Sequence, residues 1–326
     1  MMLRSIPALV LSVLLALGQA AAAETKAWPS RPVSIIVPFA AGGSTDIVAR
    51  LVAERLRAAF NGTFIVENRP GATGNIGVMA AAKAAPDGHT LLFSTSGPVA
   101  TNVLLFKTLQ VNPVTELAPI AMVAEVPLIV IVNAKLPIHN LKELLDYDKA
   151  NPGKLNFGHA GTGGMGHMAS ELFAETTGRK FTSVAYQGST PVTRDLVAGV
   201  IDAAFDLAPT YMPFIQAGTL RAIAVTTAQR MPELPDVATA AEQGFANYEA
   251  SSLIALLGPA GLPPEIVQKL NAATNDWLRE DAAKTALAAQ TLRPLGGTPD
   301  MLKQRVETEI RKWEPVVKSA NITLGN

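Results

Sequence analysis

One arrangement occurs twice in this chain and restricts its fold more than any other feature: a strand-forming run, then a cluster of glycines, then a helix-forming stretch. The first copy is Val33-Ser34-Ile35-Ile36-Val37, followed by Phe39-Ala40-Ala41-Gly42-Gly43-Ser44-Thr45-Asp46. Ile47, Val48, Leu51, Val52 and Leu56 then recur at helical spacing and predict a helix over residues 47–60. The second copy runs from a strand over residues 154–157 through His159-Ala160-Gly161-Thr162-Gly163-Gly164-Met165-Gly166-His167 to a helix over residues 168–176. Gly42 and Gly163 stand 121 residues apart in equivalent settings. This predicts one such unit in each of two lobes rather than a stacked repeat.

The flanking sequence extends the alternation. Strands are predicted over residues 63–66 and 90–93 and a helix over 75–84, which completes β-α-β-α-β, the pattern of a parallel sheet covered by helices. Its crossovers should be right-handed. Residues 128–132 are too continuously apolar for a one-sided strand and should lie inside a sheet. A helix follows over residues 141–149. Strands at 182–186, 203–205, 221–226 and 252–257 alternate with helices at 190–198 and 211–217. Three final helices, at 264–279, 281–289 and 299–319, are announced by Pro263-Pro264 and Thr298-Pro299-Asp300.

Composition removes several function classes. The chain has no Cys, which excludes disulfide scaffolds, thiol catalysis and thiolate metal sites. Its 27 Lys+Arg balance 27 Asp+Glu, and aromatic residues are sparse, so no nucleic-acid partner is expected. Residues 1–23 read as a secretory signal: Arg4, a short apolar run, then Ala21-Ala22-Ala23 before Glu24. The apolar run is too short to span a bilayer, and no Cys follows it to carry a lipid. The expected address is the periplasm, without an anchor.

The glycine loops carry the candidate chemistry. In open α/β sheets ligands sit beyond the carboxyl ends of the strands. Gly42 and Gly43 permit close approach to the backbone. Ser44 is a candidate N-cap, and the amides after it present the positive end of the helix dipole to an anion. The alternative is a plain loop-to-helix joint, with Asp46 stabilising the first turn. In the second loop Gly161, Gly163 and Gly166 satisfy G-x-G-x-x-G, the dinucleotide pattern. The strand after it ends without the acidic residue that would hold a ribose. These glycines are therefore expected to serve an anion as Gly42 and Gly43 do. Weaker candidates share the strand-end position: Asn75, Ser94 and Ser96, and the segment Tyr186-Gln187-Gly188-Ser189. Asp206 is either a helix-capping residue or a cleft residue.

Catalytic readings find little support. There is no G-x-S-x-G elbow, and His89, His139, His159 and His167 show no metal-ligand spacing. No catalytic residue, metal or cofactor is expected.

Trp28-Pro29-Ser30-Arg31-Pro32 and Val37-Pro38-Phe39-Ala40-Ala41-Gly42-Gly43-Ser44-Thr45-Asp46 resemble the opening of the Bug-type receptors. These are extracytoplasmic solute-binding proteins of tripartite tricarboxylate transporters. The likeness continues through Val66-Glu67-Asn68-Arg69-Pro70-Gly71-Ala72, Pro86-Asp87-Gly88-His89-Thr90, Tyr186-Gln187-Gly188-Ser189-Thr190-Pro191 and Pro259-Ala260-Gly261-Leu262-Pro263. The resemblance implies an α/β chain with the two-lobed type 2 periplasmic-binding-protein fold. It implies mixed, mostly parallel sheets and a ligand cleft between the lobes. Lobe 1 would comprise residues 24–124 and 227–326, and lobe 2 residues 125–226. It further implies that a small organic carboxylate is gripped between Phe39–Asp46 and His159–His167. The segment at Tyr186–Thr190 and Asp206 also fall on family positions. The implied partners are that carboxylate and the membrane permease subunits, with the receptor itself a monomer. A periplasmic sensor is the alternative. An oxidoreductase using the glycine motif, or a hydrolase using Ser44 or Ser189, represents the enzyme class.

Overall fold

The computed structural model describes residues 28–325. The signal segment expected at residues 1–23 lies outside them. The chain opens with β1 (Val33–Val37), α1 (Ser44–Phe60), β2 (Phe64–Asn68), α2 (Asn75–Ala82) and β3 (Thr90–Thr95). A π-helical turn over Gly97–Thr101 leads into α3 (Asn102–Leu105), and α4 (Pro113–Glu116) precedes β4 (Leu117–Asn133). Then come α5 (Leu141–Ala150), β5 (Asn156–His159), α6 (Met165–Thr177), β6 (Thr182–Ala185), α7 (Ser189–Ala198) and β7 (Ala203–Leu207). The chain closes with α8 (Met212–Gln216), β8 (Leu220–Val225), β9 (Ser251–Pro259), α9 (Pro264–Arg279), α10 (Asp281–Ala288), β10 (Arg293–Pro294) and α11 (Pro299–Ser319).

The strand order is β2-β1-β3-β9-β4-β7-β5-β6, with β8 and β10 also paired to β4. Within the strand–helix units the pairing is parallel: β1 with β2 and β3, and β5 with β6 and β7. Every antiparallel pairing involves β4 or β9. These two strands cross between lobes, so they do not follow the βαβ rule.

β4 is the spine of the molecule. From Leu117 to Pro127 it pairs with β9, and from Leu128 to Asn133 it pairs with β7 and β8. The sequence predicts a strand only over residues 128–132, its second half; the first half contains Pro119 and Pro127. The register shifts after Pro119, and Pro127 is the last residue paired with β9, so both prolines sit where ladder bonding is already interrupted. The stretch Ser94-Thr95-Ser96-Gly97-Pro98 after β3 reads in sequence as a polar turn. Pro98 instead occupies the first turn of a helix, where its missing N–H costs nothing.

Both faces of each sheet are buried. On β1, Val33, Ile35 and Val37 enter one core and Ile36 the opposite one. On β4, Leu128, Val130 and Val132 face one core and Ile129 and Ile131 the other. This period-2 division explains why residues 128–132 are apolar without a break. Two cores flank the first sheet and two the second. Met231, Leu234, Ala240, Tyr248 and Ala250, expected with lobe 1, are buried in the cores of the second sheet. α11 belongs to both lobes: Leu302 and Val306 pack in the first, Trp313, Val316 and Val317 in the second. Trp313 is fully buried and donates its indole N–H to the buried Glu309 carboxylate at 2.8 Å.

Candidate functional site

Between the lobes lies a cavity of about 570 Å³. Lobe 1 contributes the segment after β1, the turn at Gly71–Gly74 and the segment after β3. Lobe 2 contributes Gly163, Gly164 and Met165 before α6, and Leu207, Pro209 and Thr210 after β7. Val126 of β4 and Ser252 of β9, which are partners in the β4–β9 ladder, lie beneath it with Ile254. The cavity therefore sits at the carboxyl ends of the parallel strands.

The two loop-to-helix joints have the same backbone. Gly42 has φ +86° and Gly163 φ +74°, both in the left-handed region. Each is followed by an extended glycine that caps the helix: Gly43 with φ −76°, ψ 164°, and Gly164 with φ −66°, ψ 160°. Ser44, expected as the cap, is instead the first helical residue, and the Gly43 carbonyl accepts the bond from Ile47 N–H at 3.0 Å. An extended glycine leaves nothing between the helix's first amides and the cavity.

The third helical residue locks each joint. Asp46 Oδ2 accepts from Gly42 N–H at 2.9 Å, and His167 Nδ1 accepts from Gly163 N–H at 3.1 Å. Around Asp46, Arg50 donates from Nε and Nη2 at 3.1 and 3.0 Å, and Asn68 Nδ2 donates at 2.9 Å. Asn68 also reaches the Phe39 carbonyl at 3.1 Å. Burial pushes the Asp46 carboxyl pKa up, but Arg50, Gly42 N–H and Asn68 outweigh it and hold it below the usual carboxylate range. Asp46 is thus charged and internally neutralised.

In lobe 2, His159 stacks on His167 with ring centroids 4.2 Å apart and 20° between planes. Its Nδ1 accepts from Gly161 N–H at 3.3 Å. An amide N–H can only donate, so both rings present an unprotonated Nδ1 and carry their proton on Nε2. Burial, with His167 beside it, pushes the His159 pKa down from 6.5 to about 4. The depressed value stabilises the fold fully above pH 6.5, and that contribution is lost as pH falls from there toward about 4. Thermal unfolding of wild type and His159→Phe across this window should show the wild type losing more stability on acidification. Parallel curves would contradict it.

The structure brings Phe39, Gly43, Ser44, Asp46, Gly163 and Gly164 together on the cavity wall. Ala41, Gly42, Gly161 and Thr162 lie in the same loops but off the wall. His159 and His167 stand behind the second loop as its anchors. Asn75 accepts from the wall residue Asn102 at 2.7 Å, and Ser96 bonds the wall residue Ser252 at 3.0 Å. Ser94 is fully buried beneath Thr95. Tyr186 donates to Asp195 at 3.0 Å, away from the wall, and Gln187, Gly188 and Ser189 share that segment. Asp206 is buried, accepts from Tyr211 Oη and Leu207 N–H at 2.8 Å, and has its pKa raised by burial. Gly166 has a packing role: a Cβ there would meet the Phe205 carbonyl oxygen at 2.1 Å. Thr95, Thr101, Asn102, Leu207 and Ser252 also line the wall without having shown any local motif. The four-residue spacing from Gly42 to Asp46 and from Gly163 to His167 was the available signal for the anchors.

A family model described as "Tripartite tricarboxylate transporter family receptor" matches residues 48–322. The chain belongs to that receptor family. Protein BugT of Bordetella pertussis is 37% identical over 308 residues, covering 94% of both chains. Among solved structures, the R. palustris protein Rpa4515 with adipate superposes with TM-score 0.81 at 38% identity, over 91% of this chain and 99% of that one. MatC from Rhodopseudomonas palustris with bound malate gives TM-score 0.76 at 32% identity, over 89% of this chain and all of that one, at 100%. The receptor therefore has the two-lobed periplasmic binding-protein fold. Members of the family are solute-binding receptors rather than enzymes, which removes the oxidoreductase and hydrolase readings. Among the described residues, no helix is long and apolar enough to cross a membrane.

Proposed function

We propose that this receptor captures a small organic carboxylate between its lobes in the periplasm and delivers it to the membrane subunits of a tripartite tricarboxylate-type transporter. The supporting observation is that two helix starts of identical backbone design, one from each lobe, face a single cavity. Helix-start amides bind anions without cationic side chains. Relatives with the same fold hold adipate and malate. The amides of Gly43, Ser44 and Thr45 and those of Gly164 and Met165 are the proposed anion donors. Asp46 and His167 position them. Lobe closure follows because a ligand held by both loops binds the closed state better than the open one. In this reading residues 1–23 direct export, and the receptor acts as a monomer.

Calorimetry against a panel of mono- and dicarboxylates tests the proposal, with saturable binding and unchanged ligand as the expected result. No heat from any carboxylate would overturn it. Valine at Gly43 should weaken binding about tenfold, near 1.4 kcal/mol, with little change in unfolding temperature. A Cβ at Gly43 has only the Ala40 carbonyl oxygen nearby, at 3.9 Å, so the side chain projects without a protein clash. Valine at Gly163 is a poorer probe. Its φ of +74° strains any side chain, and the Cβ would lie 2.9 Å from Leu105 and 3.0 Å from Leu324.

A further inference from the structure

The turn between β2 and α2 has an unusual backbone. Gly71, Ala72, Thr73 and Gly74 take φ of +128°, +47°, +51° and +93° in succession. Glycine adopts such values freely; alanine, and above all β-branched threonine, does not. Gly71, Thr73 and Gly74 line the cavity between the lobes. Ala72 and Asn75 line a second pocket, of about 200 Å³, with Val78, Met79, Phe106 and Val111. Pro98 borders both spaces, so the turn is a thin partition between them.

One side chain holds this partition. Asn102 is buried, and its Nδ2 donates to the Thr73 carbonyl at 3.1 Å and to Asn75 Oδ1 at 2.7 Å. A carbonyl can only accept, which fixes the orientation of the amide: both Nδ2 hydrogens are occupied, and Oδ1 remains. Oδ1 is an acceptor, as are the oxygens of a carboxylate. Asn102 therefore offers a carboxylate no donor, although it borders the cavity. A second irregularity brings it to the turn. The π-helical turn Gly97–Thr101 ends in the bond from Asn102 N–H to the Gly97 carbonyl, five residues back. The extra residue rotates α3 by about 100° from a regular continuation.

From this convergence we infer that Asn102 is a positioning residue for ligand capture. It clamps the left-handed turn against its own strain and so keeps Thr73 on the cavity wall as a ligand contact. The inference rests on the receptor reading above and assigns a role within it. Thr73 Oγ1 has no hydrogen-bond partner among the described residues and is free for a ligand. Without the clamp Ala72 and Thr73 would relax toward negative φ, and the pocket behind Ala72 gives them room.

Two measurements on the full chain test this. In amide hydrogen exchange without added carboxylate, the Gly74 amide, bonded to the Gly71 carbonyl at 2.9 Å, should exchange at least tenfold faster in Asn102→Ala. Calorimetry with adipate, and with malate if adipate gives no heat, should show about tenfold weaker binding in the same variant. Ala72→Gly in the Asn102→Ala background should recover most of that affinity, because glycine holds a positive φ without strain. A residue needed only for packing would not be rescued by removing a methyl group from another segment. Unfolding temperature reports whether each variant folds. Should Asn102→Ala fail to fold, Asn75→Ala removes one of the two bonds at a half-buried position and should weaken binding about threefold, again with rescue by Ala72→Gly. Unchanged Gly74 exchange would overturn the clamp, whatever the receptor binds. Wild-type affinity in the clamp variant, or a double variant no tighter than the single, would overturn the positioning role and leave the receptor reading in place. Absence of wild-type binding to both acids and to a wider panel of carboxylates would overturn the receptor reading and this role together.

Discussion

Alanine at Gly166 is expected to destabilise the receptor by about 3 kcal/mol, the upper end of the usual cost of overpacking. The added methyl would lie 2.1 Å from the Phe205 carbonyl oxygen and 3.2 Å from its carbon. Backbone atoms cannot rotate aside as a side-chain end can. α6 would have to move away from β7, and Met168, Ala169 and Phe173, buried on the same helix, would move with it. A denaturant titration reads the effect as a lower midpoint at unchanged slope. A midpoint equal to wild type would show that the helix shifts freely. The result would also identify the third glycine of the dinucleotide-like motif as a contact between helix and strand, a role that glycine has in true dinucleotide folds as well.

The second large effect concerns Asp46. Asp46→Ala removes the acceptor for Gly42 N–H, both Arg50 bonds and one Asn68 bond. Hydrogen bonds to charged groups contribute roughly 1.5–3 kcal/mol each where they are not replaced by water. Arg50 is half-exposed and rehydrates, so most of the loss falls on the loop geometry. Carboxylate affinity should fall about a hundredfold, near 2.7 kcal/mol. Asp46→Asn keeps an acceptor for Gly42 but loses the ion pair, and should lie between the two. The lowered pKa adds a pH signature. The stabilisation by ionised Asp46 is present above the ordinary carboxylate value of 3.8 and is lost only as pH falls through the lower folded value. Calorimetry of the three proteins at neutral pH tests the order; equal affinities would remove Asp46 from the ligand-binding apparatus.

Much of the local architecture was legible. Pro264 and Pro299 begin α9 and α11 where helix-start chemistry placed them, and the apolar spacing from Ile47 marks α1. These signals lie within a few residues of the element they specify. The cavity floor could not be read in this way. Val126, Leu207 and Ser252 come from three distant segments, and only the β4–β9 and β4–β7 ladders bring them together. The histidines show the reverse case. His159 and His167 were visible as loop residues, but their role depends on which atom points back at a loop amide, a question of rotamer and not of residue type.

The course of β4 bears on how such receptors can diversify. One uninterrupted strand supplies ladder partners to both sheets, and Thr226 bonds the Leu128 and Ala250 carbonyls where the chain crosses back. α11 is likewise rooted in both cores. Neither lobe is therefore a transferable module: recombination at any point along β4 would strip an interior strand from one sheet or the other. New ligand preferences must arise by point substitution in the loops and along the cavity wall, on a frame inherited whole.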